Sequence, residues 1–368
     1  MQEEADNRRS SLLKSSVVVS AMTMISRVFG PARDMVVAYF FGAAAGADAF
    51  FLAFRIPNFF RRLFAEGAFA QAFVPVLSDY KANRSHEEVR DLVSRTSGSL
   101  GLVLTLVTLA GVLGAGLVIG VFAPGFVYHG QEDKFELAVD MLRLTFPYLL
   151  LTSMTAMAGS VLNTFGRFAA PSFTPVLLNV SIIGCAILMR PYLDQPVMAL
   201  AWGVLFAGVA QLTFQIPFLA REGVLVLPVV DFRHKGVRRI GALMLPAIFG
   251  ASVSQINLLV DTLLASFLPT GSLSWLYYSD RLLELPLALF GIAIATVILP
   301  GLSTEHAQAR PEDFSRTLNW AMRLVILFGA PATLALVFLA DELIATLFYQ
   351  GEMTVRDVSM SGLSLAAY

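Results

Sequence analysis

Apolar residues run through this chain in long blocks separated by short polar stretches. The blocks fall at 14–42, 47–80, 92–122, 137–165, 172–190, 196–219, 239–268, 273–303 and 317–349, and a tenth begins after Arg356 and reaches Tyr368. A helix crossing a bilayer needs about 20 mainly apolar residues, so each of the nine full blocks predicts a transmembrane helix. Several are longer than a crossing requires. Gly30-Pro31, Pro57, Pro75, Pro286 and Pro300 mark expected kinks or breaks, of the kind found where helices line a cavity. The connections are short except 220–238.

Composition agrees with the pattern. Hydrophobic residues make up 56% of the chain and charged residues 14%, against about 25% charged in soluble domains, so the fold class is an all-α polytopic membrane protein. The single cysteine, Cys185, excludes an intrachain disulfide. His86, His129, His234 and His306 show no metal-ligand spacing. No cleavable leader is expected, because Gln2 to Arg9 is polar and the first apolar block is long and interrupted by charge. Alternate connections on one side, with their flanks, carry residues such as Arg84, Arg90, Arg95, Arg167, Arg221, Arg233, Lys235, Arg238 and Arg239, and the other side carries only Lys134, Arg143, Arg190 and Arg356. By the positive-inside rule the N-terminus and the 220–238 connection are cytoplasmic.

The charges inside the blocks change the picture most. Between Ser26 and Glu66 lie Arg27, Arg33, Asp34, Asp48, Arg55, Arg61, Arg62 and Glu66. A charge at the centre of a spanning helix costs roughly 2.5–3.5 kcal/mol on insertion scales, so such groups persist where they face a polar cavity, a partner or a substrate. Once the connections and their flanks are set aside, every basic residue that remains is arginine: Arg27, Arg33, Arg55, Arg61, Arg62, Arg281 and Arg323. Asp48, Arg55 and Arg62 are seven apart and share a helical stripe, whereas Arg33 leaves the Arg27/Asp34 face unless Gly30-Pro31 turns it inward. Asp280, Arg281 and Glu284 form a second cluster within about one turn.

An internal repeat points to two lobes. Phe73-Val-Pro-Val-Leu-Ser78 recurs as Ile298-Leu-Pro-Gly-Leu-Ser303, and each copy is followed by an acidic connection. Nearly the same offset sets Asp34 against Asp261 and Arg55 against Arg281. The copies close blocks an even number apart, so they share an orientation, as parallel repeats do. The expected division is residues 1–225 with helices 1–6, and 226–368 with helices 7–9 and the start of a tenth.

Two roles compete for these charges. Acidic residues nearly balance the arginines, so ion pairs that hold or gate the helices are one reading, favoured for Asp48, Arg55, Arg62, Glu66, Asp280 and Glu284. Arg27 and Arg33 in the first block and Arg281 in the eighth are the other set, and arginine's fixed fork of donors suits phosphate. Arg61 stands between the roles, and Asp261, the only acid in its block, would bind a cation or neutralise an arginine. No nucleophile elbow, HExxH motif or phosphate loop occurs, and a transporter is favoured over an enzyme.

These residues also carry a family resemblance. Ser20-Ala-Met-Thr-Met-Ile-Ser-Arg-Val-Phe-Gly-Pro-Ala-Arg-Asp34 resembles the first helix of the MurJ (MviN) family of lipid II flippases. Gly46-Ala-Asp-Ala-Phe-Phe51 and Pro57-Asn-Phe-Phe-Arg-Arg-Leu-Phe-Ala-Glu-Gly-Ala-Phe69 resemble its second, and Tyr277-Tyr-Ser-Asp-Arg-Leu282 extends the likeness into the later helices. The resemblance implies a MATE-like helical bundle of the multidrug/oligosaccharidyl-lipid/polysaccharide exporter superfamily, two lobes around a cationic central cavity. Its substrate would be lipid II, the undecaprenyl-pyrophosphate-linked disaccharide-pentapeptide used in peptidoglycan and cell-wall biogenesis. Arg27, Arg33 and Arg281 would bind the pyrophosphate and nearby sugar with Asp34 orienting them, and Arg61 and Glu66 would serve the cavity or its gate. No organic cofactor or nucleic acid is implied; coupling to Na+ or the membrane potential, and contact with membrane lipids and the cell-wall synthesis machinery, are. The location implied is the bacterial inner membrane.

The family has fourteen helices, and this chain stops within the tenth, so a chain truncated after about nine and a half helices, unable to flip lipid alone, is the expectation. The alternatives are a flippase for O-antigen or teichoic-acid lipid intermediates and a non-transporting scaffold for cell-wall assembly. A drug or cation antiporter of the same superfamily would want an acid-rich cavity, which the arginines argue against.

Overall fold

The fold is built from apolar helices, many of them too long and too polar in places to be simple crossings. A computed structural model describes residues 2–62, 68–287, 291–308 and 311–367. Its helices are α1 (Gln2–Phe41), α2 (Ala45–Arg61), α3 (Ala70–Asn83), α4 (His86–Leu113), α5 (Ala115–Phe122), α6 (Pro124–Tyr128), α7 (Glu132–Thr145), α8 (Tyr148–Thr164), α9 (Ala169–Leu188), α10 (Met198–Arg221), α11 (Lys235–Ala265), α12 (Ser272–Pro286), α13 (Ile292–Ala307), α14 (Pro311–Phe338), α15 (Ala340–Phe348) and α16 (Val355–Ala367). Each expected block is helical, but several are two helices in series: the third divides at Gly114, the fourth at Phe146-Pro147 and the ninth at Leu339.

Pro31, Pro57, Pro75 and Pro300 lie inside their helices, and Pro286 is the last residue of α12. The four internal prolines each remove one helical hydrogen bond without ending the helix there.

Length and hydropathy together select five crossings among the described residues: α4, α7 with α8, α9, α10 and α14. The two parts of α11 meet at 51° and bring the number to six if they are counted as one broken span. The charge-bearing α1, α2 and α12 do not reach that standard, because charges interrupt α1 and the other two are short.

Two compact units emerge from the contacts: residues 1–37 with 45–269, and residues 38–44 with 270–368. Contact density asks a different question from the lobe division expected near residue 225, which concerns the helices that move together.

In the first unit, Phe69, Phe73, Leu77, Leu92, Val161, Val224 and Ile240 form a buried core joining α3, α4, α8 and α11. Burying a side chain of that size from water is worth about 1.5–3 kcal/mol. Helices α9 and α10 approach closely at Gly203, where an added Cβ would lie 2.8 Å from the Cα of Ile182. Small residues give membrane helices such contact. A capping box starts α4: Ser85 Oγ accepts from the Glu88 amide, and the Glu88 carboxylate accepts from the Ser85 amide.

The connection 222–234 is not free in solvent. Ser94 donates to the Leu227 carbonyl at 2.6 Å, the Val229 amide to the Ser94 carbonyl at 3.0 Å, and the Asp231 amide to Ser99 Oγ at 3.1 Å. Gly98 admits the Val229 backbone against α4. Arg95 bonds both Asp91 and Asp231.

The second unit is tied by polar contacts to buried aromatics. Tyr278, fully buried, donates to the Gly42 carbonyl at 3.0 Å, and the Trp275 indole donates to Asp357 at 2.9 Å. Asp357 also accepts from the Thr354 amide and hydroxyl at the start of α16.

Candidate functional site

Apolar helices that carry arginine must either pair it or present it, and this protein does both. On α1, Arg33 is 8% exposed and Asp34 2%. Arg33 Nε donates to Asp34 Oδ1 at 2.9 Å, a second guanidinium nitrogen donates to the same oxygen, and Nη1 donates to Asn179 Oδ1 of α9 at 3.1 Å. Gly30-Pro31 therefore does not keep Arg33 out of the protein. Asp34 is its counter-ion, and Asn179 is a partner the charge pattern did not suggest. Six residues earlier on the same helix, Arg27 is exposed and makes no hydrogen bond or ion pair with another described residue.

The stripe on α2 resolves into contacts with other helices. Asp48, 1% exposed, accepts from the Lys134 ammonium of α7 at 2.8 Å, and Lys134 also lies 4.3 Å from the Phe126 ring centroid. Lys134 had counted as a loop charge; it is 6% exposed. Arg55 donates to Thr262 Oγ1 at 2.8 Å, and that hydroxyl in turn donates to the Leu258 carbonyl. Arg61 closes α2, half-buried, with Nε donating to Asn58 Oδ1 at 3.0 Å. Arg62 follows it and is exposed, and Glu66 lies outside the described residues.

Arg61 also borders a cavity of 490 Å³ within the first unit. Its walls come from α8, α9 and α10 and include Thr152, Thr174, Gln211 and Gln215. That size falls within the range of small-molecule sites, roughly 300–1,000 Å³. Gln211 and Gln215 were missed by a reading that weighed charge alone. Their i, i+4 spacing inside the apolar block 196–219 was the available signal.

On α12 of the second unit, Arg281 donates to Glu284 at 2.8 Å and its guanidinium stands 4.9 Å from the Tyr277 ring centroid. About a third of the Arg281 side chain is exposed, and more than half of Glu284. Asp280 beside it is half-buried, and Asp261, on α11 of the first unit, is exposed. No group of three or more His, Cys, Asp or Glu residues able to hold a metal occurs among the described residues. Chemically, the first unit offers arginine forks and, around its cavity, hydroxyl and amide groups in an apolar protein, which suits binding an anion with a polar, uncharged extension.

The family model described as Lipid II flippase MurJ matches residues 37–368. A probable lipid II flippase MurJ from Vibrio cholerae serotype O1 is 54% identical over 362 residues, 97% of this chain and 69% of that protein. The lipid II flippase MurJ of Burkholderia cenocepacia is 43% identical over 97% of this chain and 70% of its own length. A solved structure of lipid II flippase MurJ in an inward closed conformation superposes with a TM-score of 0.78 at 28% identity, covering 96% of this chain and 72% of that one. An inward-facing multidrug resistance MATE transporter of the MOP superfamily shares the fold, with a TM-score of 0.71 at 14% identity over 95% of this chain and 79% of its own.

Proposed function

The chain belongs to the lipid II flippase MurJ family, and from that premise we propose that it moves lipid II from the cytoplasmic to the periplasmic leaflet of the bacterial inner membrane. It is a multi-pass membrane transporter. Its N-terminus and the 220–238 connection lie on the cytoplasmic side, where the basic residues collect. In the first unit Arg27 and Arg61 receive the pyrophosphate and adjacent sugar, and in the second unit Arg281 offers an anion the same fork of donors. Arg33, already bonded to Asp34 and Asn179, fixes α1 against α9 and adds positive charge to the surroundings.

The observation that carries this reading is Arg27, an exposed arginine without a described partner in the middle of an apolar helix. A guanidinium there is costly unless a ligand or water meets it. A pyrophosphate bonded through paired N–H groups offsets its own desolvation, because charge-assisted contacts are stronger in a low-dielectric site. Transport also requires release. Two conformations, open in turn to the cytoplasm and the periplasm, must therefore differ in affinity for the headgroup, and Na+ or the membrane potential would bias their exchange.

The test replaces Arg27, Arg33 and Arg281 singly by lysine and follows the appearance of lipid II on the periplasmic face. Lysine keeps the charge and loses the fork, so the expected result is loss of export for Arg27→Lys and Arg281→Lys. Unchanged export in both would refute the arginine site. Competition with an O-antigen lipid intermediate separates the substrate from its nearest chemical alternative.

A further inference from the structure

The cavity between α8, α9 and α10 has a chemistry unlike that of the arginine positions. Three of its wall hydroxyls are turned to their own helices: Thr155 donates to the Leu151 carbonyl, Ser160 to Ala156 and Thr174 to Pro171. Gln211 Nε2 donates to the Thr174 carbonyl at 2.9 Å. Two buried acceptors in the wall are left unmet. The amide oxygens of Gln211 and Gln215 have no hydrogen-bond partner, although the two side chains are 4% and 1% exposed. An unmet buried acceptor costs about 1–3 kcal/mol, so each amide gains by turning toward a donor that enters, and its terminal torsion is soft.

A group that brings O–H or N–H donors satisfies both acceptors. It should not be a cation, because Arg61 stands at the wall and no Asp or Glu is among the lining residues. We propose that this cavity is a subsite for an uncharged, hydroxyl- and amide-bearing group, namely an N-acetylated sugar of the headgroup, with Gln211 and Gln215 as its acceptors. The identification rests on the flippase reading above. The subsite is separate from the arginines that take the pyrophosphate, Arg61 excepted, which borders both functions.

Two lipid probes test it: undecaprenyl pyrophosphate alone, and the same lipid carrying an N-acetylated disaccharide, titrated onto the purified chain. Gln211→Leu and Gln215→Leu should each weaken the sugar-bearing lipid about fivefold, the effect of one lost hydrogen bond, and leave the bare pyrophosphate unchanged. Ala156→Leu, which narrows the cavity without removing an acceptor, should weaken the same lipid. The free disaccharide should compete only with the sugar-bearing probe. Unchanged affinity in all three variants, or equal loss for both lipids, would overturn the subsite. Failure of the wild-type chain to bind the bare pyrophosphate would instead overturn the flippase reading, and competition by the free disaccharide would then still report on the cavity.

Discussion

Arg33 on α1 and Arg281 on α12 carry the same side chain in apolar helices, yet the protein treats them differently. Arg33 is buried, forked onto Asp34 and tied to Asn179, 146 residues away in sequence. Arg281 is about one-third exposed, and its bonded partner Glu284 is on the next turn of its own helix. One arginine is part of how the first unit holds together. The other is part-exposed, and its pair with Glu284 stays within one helix, where an ion pair of that kind contributes only about 0–1 kcal/mol. A cation inside an apolar stretch is thus no single class of residue, and its partners decide whether it builds or binds.

The sharpest way to break this comparison is to truncate both. Arg33→Ala leaves Asp34 charged, buried and without its main counter-ion, and removing one member of a buried pair costs about 3–5 kcal/mol. Arg281→Ala should cost under about 1 kcal/mol while abolishing export. Thermal unfolding in detergent measures the first quantity and a lipid II accessibility assay the second. Equal destabilisation would show that the two arginines do the same job.

Next in size is the pair between Lys134 and Asp48. Lys134→Met should lose about 3 kcal/mol for the same reason as Arg33→Ala. Adding Asp48→Leu should recover most of the loss, since an apolar pair of similar volume can replace a buried ion pair. If the double variant stays as unstable as the single one, Asp48 has a role beyond pairing. Gly203→Val should come after that, at about 1–3 kcal/mol, because a side chain there meets the Ile182 backbone of α9. Its effect should appear in unfolding and leave the affinity of any surviving protein for the bare pyrophosphate unchanged.

The same contrast explains how much could be read from the sequence. Long apolar blocks announce helices, and an arginine within one is conspicuous, so the all-helical membrane fold and positions such as Arg33 and Arg281 were legible. The breaks at Gly114 and Leu339 were not, since a helix can pause there without any change in hydropathy. Asn179, Gln211 and Gln215 were passed over because an uncharged amide hardly dents the apolar pattern around it. Lys134 was misplaced for the opposite reason: it sits among polar neighbours at the start of α7, and only the approach of α2 shows that it is buried. Partner identity across 80 to 150 residues depends on packing, which local spacing cannot encode.

The smallest expected effect concerns the connection that crosses α4. The backbone N–H of Arg233, with the Arg95 guanidinium, holds the Asp231 carboxyl below its ordinary value of 3.8. A carboxylate depressed in the folded state stabilises it fully above the unfolded pKa, and that contribution fades as pH falls through the folded value. Between pH 5 and 7 the 224–231 segment should therefore stay closed over α4, opening only as the pH drops below about 3.8. Hydrogen exchange at the Val229 and Asp231 amides is the measurement, because both are bonded to α4. Asp231→Asn should speed that exchange at pH 7 and remove its acid dependence, with little change in global unfolding. An Asp231→Asn protein that still opened at the same acid pH would move the cause to Glu88, whose carboxylate on α4 is also held below its ordinary value, first by the Arg84 hydrogen bond.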